Sequence, residues 1–321
     1  MENSNDRQVA SILRRAILDC IAIGSLNDAA ASTPRELFES PAAQALKAEI
    51  IRTGRKLWER AYVDGNGGNI SARLTDEYVL CTPTLCSKGD ISAADLSLVD
   101  LDNCQLCGDR AQTSEILLHL EIYKAVPNAR AVVHCHPPYA TAHAIAGVVP
   151  PGNLIPEQEV FVGPVALAPY ETPGTLAFAR TVLPFVKDHN TILLTNHGVV
   201  CWSDTVAHAE WCVEVVENYC KTVMIARQLK SSLPEIPPEK IVDLLALKKR
   251  YGVPDPRLTQ SVQNANEGPA DSAPNSTDSK RKQQANGSAR SALTESVPRE
   301  EVERLVSTFT AQLMDLLKTK A

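Results

Sequence analysis

The chain has 321 residues, 44% hydrophobic and 22% charged, with a net charge of −6 and a pI near 5.7, a balance that supports a folded core and argues against a nucleic-acid binder, which carries a basic patch. No apolar run approaches the roughly 20 residues that span a membrane, and Met1 to Asp6 lack the basic start of a secretory signal, so a cytoplasmic location is expected. The nine cysteines fit a reducing compartment, as small hydrophobes rather than a disulfide framework.

Val9, Ile12, Leu13, Ala16, Ile17, Cys20 and Ile21 share one face of a helix expected over residues 8–23, inside an N-terminal helical segment assigned to 1–45. A second helical pattern starts at Pro41 and carries Leu46, Ile50, Leu57 and Trp58 to about Tyr62, where DGNGGN ends it. Short strands are then expected at Ile70–Leu74, Tyr78–Thr82 and Ser97–Asp100. A helix at Ser114–Val126, a strand at Ala131–His136 and a helix at Tyr139–Ala146 follow, then strands at Val165–Leu167 and Thr191–Thr195. Ser203 is read as the cap of a long helix to about Leu229, with Val206, Trp211, Val215, Tyr219, Val223 and Ala226 on its core face. This mixture predicts an α/β fold with three α/β/α layers over residues 46–258.

From residue 259 to 294 the chain is almost devoid of aliphatic side chains and is read as a disordered linker, spanning about 35 Å root-mean-square. Over 295–321, Val302, Leu305, Val306, Phe309, Leu313, Leu316 and Leu317 return at helical spacing and predict a short amphipathic helix.

In AVVHCHPPYA, His134 and His136 stand two apart on a strand, so both imidazoles share one face and Cys135 takes the other. His197, after a second apolar strand and before a glycine, supplies a third nitrogen. Three nitrogens with one open position is the arrangement of a catalytic zinc site, although an isolated His-x-His is also ordinary strand sequence. His119 and His143 are read as structural or surface histidines, and Cys104-x-x-Cys107 as part of a hairpin loop.

GNGGNIS, CTPT, TSE, VVHCHPPYATA and LLTNHGVV follow one another across about 185 residues, and together they resemble the class II aldolase/adducin family. The resemblance implies a mainly antiparallel central sheet, one Zn2+ per subunit on His134, His136 and His197, and Glu115 as catalytic acid/base. In such chemistry a metal polarises the substrate carbonyl as a Lewis acid, and a nearby carboxylate moves the proton. Without the family, Glu115 reads as a simple partner for a helix dipole. The resemblance also implies a phosphate site at Asn69, Thr84, Thr113 and Ser114, where glycine turns and a helix N-terminus suit an anion. Leu85 stands where the family usually has glycine, and Lys88 is read as either a compensating charge or a solvated side chain. The family's partner-subunit tyrosine has no counterpart around Ile155–Glu159, and Tyr170 is read as a packing residue.

These likenesses imply an aldolase that cleaves a 6-deoxy-ketose 1-phosphate, fuculose or rhamnulose 1-phosphate, to dihydroxyacetone phosphate and lactaldehyde. A pentulose-5-phosphate 4-epimerase is the alternative, but such epimerases usually carry Asp at the position of Glu115. A non-catalytic adducin-like module is the third reading. The family also implies a homotetramer. The tethered helix at 295–321 resembles the encapsulation peptides that bind shell proteins of bacterial microcompartments, and this is the expected partner beside the sugar phosphate.

Overall fold

The computed structural model describes residues 33–253, 255, 257 and 258. The helix expected at 8–23, the linker at 259–294 and the amphipathic helix at 295–321 lie outside the described residues. Two helices open the described chain, α1 (Pro34–Glu39) and α2 (Pro41–Glu59). Both have strong starts. Thr33 and Glu36 exchange hydrogen bonds in a capping box ahead of α1, and Ser40 accepts from the Ala43 N–H with Pro41 at the first helical position of α2.

Eight strands form one sheet: β1 (Asn69–Arg73), β2 (Tyr78–Cys81), β3 (Ser97–Asp100), β4 (Gln105–Cys107), β5 (Ala131–Cys135), β6 (Ala166–Ala168), β7 (Thr191–Leu194) and β8 (Gly198–Ser203). Their order is β4-β3-β2-β1-β5-β8-β7-β6. Every pairing is antiparallel except β6 with β7. The remaining α-helices of the described residues are α3 (Ile116–Ala125), α4 (Pro138–Ala146), α5 (Leu176–Arg180), α6 (Val206–Leu229) and α7 (Pro238–Arg250).

The period-two alternation of the strands divides the core. Ile70, Ala131, Val133, Cys135, Val199 and Cys201 pack in one cluster with α2, α4 and α6. Val79, Val132, Ile192, Val200 and Trp202 pack in a second cluster with α3 and α5. The result is the expected α/β/α layering, and each fully buried aliphatic side chain contributes about 1.5–3 kcal/mol. The same alternation sends His134 toward α3 and Cys135 toward α4 and α6.

Several details differ from the sequence expectations. Ser203 ends β8 instead of capping α6, whose cap is Thr205, accepting from the His208 N–H at 3.1 Å. Trp211, expected on the core face of its helix, is 52% exposed, because it faces outward from a helix whose smaller residues fill the sheet contact. Among the described residues no helix is long and apolar enough to cross a membrane.

Candidate metal centre

Strands β1 and β5 are paired so that Asn69 lies opposite His134. On the other side of β5, His134 faces Val200 of β8. His136 follows the end of β5, just before Pro137 and Pro138 start α4. His197 sits in the tight turn between β7 and β8, after Asn196 in the left-handed region at φ 55°. Glycine is needed next. A Cβ at Gly198 would lie 2.4 Å from the Cys135 carbonyl oxygen and 2.7 Å from the His136 ring. Gly68, with φ 69°, likewise leaves no room for a side chain beside the His134 carbonyl.

These constraints bring His134, His136 and His197 together, with one nitrogen from each within 4.8 Å of the others. The tautomer of His134 follows from its partner. A carbonyl only accepts, so Nδ1 donates to the Val199 oxygen at 2.9 Å and Nε2 presents its lone pair to the site. That Nε2 lies 3.1 Å from Nε2 of His136. Burial, reinforced by the neighbouring imidazoles, holds His134 well below the ordinary histidine range. Burial lowers His136 as well, against the opposing pull of Asp64, and brings His197 down to about 4. Three neutral imidazoles facing one another with lone pairs are what a divalent cation requires of its ligands.

Glu115 occupies the N-cap position of α3, yet its carboxylate makes no capping hydrogen bond. It turns instead toward the histidines. Oε2 lies 3.3 Å from His134 Nε2 and Oε1 lies 3.4 Å from His197 Nε2. Asn69 Nδ2 donates to Oε2 at 2.7 Å. Burial pushes the Glu115 carboxyl above its usual range, opposed by the Asn69 hydrogen bond and the charge of Lys88. The simple dipole-partner role is therefore not what its geometry serves.

Asn69, Thr84, Thr113 and Ser114 line the same pocket of about 170 Å³ as Glu115, His136 and His197. Two of their backbone amides are already committed: the Thr84 N–H donates to Ala111 and the Thr113 N–H to Thr82, each at 3.0 Å. The Thr84 side chain and Ser114 are thus left to a ligand, while Thr113 Oγ1 already accepts the Glu115 N–H at 3.4 Å and keeps only its hydroxyl proton to donate. Leu85 also lines the pocket, is 78% exposed and has φ 51°. This leucine keeps the left-handed conformation that glycine adopts without strain.

Two other expectations need correction. Lys88 is not a solvated loop lysine, since it is 1% exposed. Its Nζ donates to the carbonyls of Asn66, at 3.0 Å, and Cys86, at 2.7 Å, tying the glycine turn to the loop that carries Thr84. Burial lowers its pKa. Tyr170 is 57% exposed and so does not pack into the core of this chain. Nothing in its local sequence, APYETPG, distinguished those outcomes.

Residues 48–224 match the family described as Class II Aldolase and Adducin N-terminal domain. The chain is 35% identical over 181 residues to the 3-oxo-tetronate 4-phosphate decarboxylase of Haemophilus influenzae, covering 55% of this chain and 86% of the relative. It is 34% identical over 183 residues to the L-fuculose phosphate aldolase of Methanococcus maripaludis, covering 57% and 98%. Among solved structures, an L-fuculose 1-phosphate aldolase superposes with a TM-score of 0.59 at 26% identity, over 65% of this chain and 96% of the other. The metal-ready histidines, the carboxylate beside them and these likenesses agree, and the chain belongs to the class II aldolase and adducin family.

Proposed function

We propose that this chain is a divalent-metal lyase that breaks the bond between the carbons α and β to the carbonyl of a small phosphorylated substrate. The observation that carries the proposal is the convergence of His134, His136 and His197 with Glu115 at 3.3 and 3.4 Å from two of them. Neutral imidazole donors with an open position suit zinc, one ion per chain. A cation held by these histidines would supply Lewis-acid polarisation of the substrate carbonyl.

Glu115 then handles the proton. Its carboxyl, raised by burial against the Asn69 hydrogen bond and the charge of Lys88, stands beside the histidines, where it can take and return a proton. In a decarboxylation, it delivers the proton to the carbon that the departing CO2 leaves behind. In an aldol cleavage, it takes the hydroxyl proton as the aldehyde leaves. Asn69 fixes the carboxylate, while Thr84, Thr113 and Ser114 offer the substrate phosphate its contacts. Lys88 shapes that loop from below and adds a positive charge near Glu115.

Decarboxylation of a 3-oxo sugar-acid phosphate is the first substrate reading, supported by the Haemophilus influenzae relative. It is an activity that the residues alone did not suggest. Aldol cleavage of fuculose or rhamnulose 1-phosphate is the second, supported by the Methanococcus maripaludis relative. Purified full-length protein offered each compound separates them: CO2 from 3-oxo-tetronate 4-phosphate supports the first, and dihydroxyacetone phosphate from either ketose phosphate the second. Interconversion of pentulose phosphates would replace both with the epimerase. Absence of every activity and of metal would leave the adducin-like module.

The proposal extends to the tail and the assembly. Residues 295–321, whose apolar side chains recur at helical spacing in the sequence, are proposed as the segment that binds a microcompartment shell protein. Fusing residues 293–321 to a fluorescent reporter beside shell proteins tests it, and diffuse fluorescence would refute it. A homotetramer is the expected assembly, measurable by light scattering.

A further inference from the structure

The hydrogen bond from Asn69 to Glu115 is the last link of a longer buried series. Asn69 Oδ1 lies 2.6 Å from His119 Nε2. His119 Nδ1 lies 2.7 Å from Ser71 Oγ, which in turn lies 2.8 Å from the Tyr123 hydroxyl. His119 and Ser71 are fully buried, and Asn69 and Tyr123 nearly so. None of these bonds is open to water, so each polar atom depends on its neighbour.

Donor and acceptor roles follow from one end to the other. An ionised carboxylate only accepts, so the Asn69 atom facing Glu115 is its amide nitrogen and the carbonyl Oδ1 faces His119. His119 must then carry its proton on Nε2. A neutral imidazole has one donor and one acceptor, so its Nδ1 accepts the Ser71 hydroxyl, and Ser71 accepts the Tyr123 hydroxyl. Burial lowers the His119 pKa to about 3, so the ring stays neutral and the direction of the series does not reverse across the physiological range. The two strand residues, Asn69 and Ser71, share one face of β1, and the two helix residues, His119 and Tyr123, are one turn apart on α3. The series therefore pins the strand that faces His134 to the helix that begins at Glu115.

We infer that His119 is a positioning residue for Glu115. Acting through Asn69, it holds carboxylate Oε2 in a fixed hydrogen bond and leaves Oε1 for proton transfer. This rests on the proposed role of Glu115 as acid/base. If His119 cannot donate, Asn69 Oδ1 is left buried without its donor, the amide is no longer held from behind, and Glu115 Oε2 loses a fixed hydrogen-bond donor. The same role explains a chemical choice: the nitrogen donor and acceptor of a histidine are required at a site where leucine would pack.

The test uses full-length protein labelled with 15N at histidine, with the His119 signals assigned by their loss in His119→Gln. The expected spectrum shows Nε2 protonated and Nδ1 unprotonated, unchanged from pH 6 to pH 8, as the argument requires. In parallel, His119→Leu is expected to keep one metal per chain and its KM, while kcat falls about 10²-fold, the scale of a displaced catalytic group. His119→Gln, whose amide can donate to Asn69 and accept from Ser71, is expected to recover most of that loss. A proton on Nδ1, wild-type turnover in His119→Leu, loss of metal in that variant, or no recovery with glutamine would each overturn the inference. Wild-type protein that has the Nε2–H tautomer but turns over neither 3-oxo-tetronate 4-phosphate nor fuculose 1-phosphate would sink the lyase proposal and still support the series. Turnover with the opposite tautomer would do the reverse.

Discussion

Ser71 is where the buried series can be tested thermodynamically, because its hydroxyl serves two partners at once: His119 Nδ1 at 2.7 Å and the Tyr123 hydroxyl at 2.8 Å. Ser71→Ala removes one oxygen and strands two buried polar groups. An unsatisfied buried group costs about 1–3 kcal/mol, so the variant is expected to lose about 2–6 kcal/mol. Tyr123→Phe takes away only a donor to Ser71, which still donates to His119, and should cost about 1 kcal/mol. In the double variant only His119 Nδ1 lacks a partner, so the expected loss is about 2 kcal/mol, less than the sum of the two single losses. For a domain of this size each kcal/mol moves Tm by about 2–4 °C. Denaturant and thermal unfolding of the four proteins measure the cycle. Losses that simply add, within about 0.5 kcal/mol, would show that the two hydroxyls are not coupled through Ser71.

Other perturbations follow from the same structure. Glu115→Gln should retain metal and lower turnover by about 10²–10⁴-fold, measured on whichever phosphate the wild type cleaves; a change under threefold would remove Glu115 from proton transfer. Leu85→Gly relieves a left-handed backbone worth about 1–2 kcal/mol but loses roughly 0.5–1 kcal/mol to glycine's freedom in the unfolded chain. With Leu85 78% exposed and little burial to lose, its Tm should stay level or rise, and a fall of several degrees would contradict this. Glu210, buried against α2, has its carboxyl raised to about 7 by burial first and by sharing with Glu214, with Lys56 opposing. Its protonated form is thus favoured by folding: that stability is full below the unfolded value near 4.5, and it is lost as pH rises through about 7. Tm of the wild type should fall from pH 5 to pH 8 more than that of Glu210→Gln, and equal slopes would rule Glu210 out as the cause.

How much of this was legible beforehand depended on the range over which each feature is built. The strand at β5 and the His134–His136 pair were readable because period two is local. The long helix α6 was legible as well, but not its start, because β8 runs directly out of the His197 turn and takes Ser203 before Thr205 can cap. Trp211 was placed inward on hydrophobicity, while the sheet face of its helix is filled by smaller residues such as Val213 and Val216. Lys88 could not be read, since the two carbonyls that hold it belong to Cys86 and to Asn66, 22 residues away. His119 was read only as a structural or surface histidine. One signal was present, its place one turn after Glu115, but its partner Asn69 lies 50 residues away and only the pairing of β1 with α3 joins them.

His134, His136 and His197 are proposed to form one divalent-metal site. Metal analysis of the purified chain by mass spectrometry, beside His134→Ala and His136→Ala, tests it most directly. About one zinc or similar divalent ion per wild-type chain is expected, with most of it lost in both folded variants. Stoichiometric metal in variants that lack an imidazole, or none in a wild-type protein supplied with zinc, would contradict it.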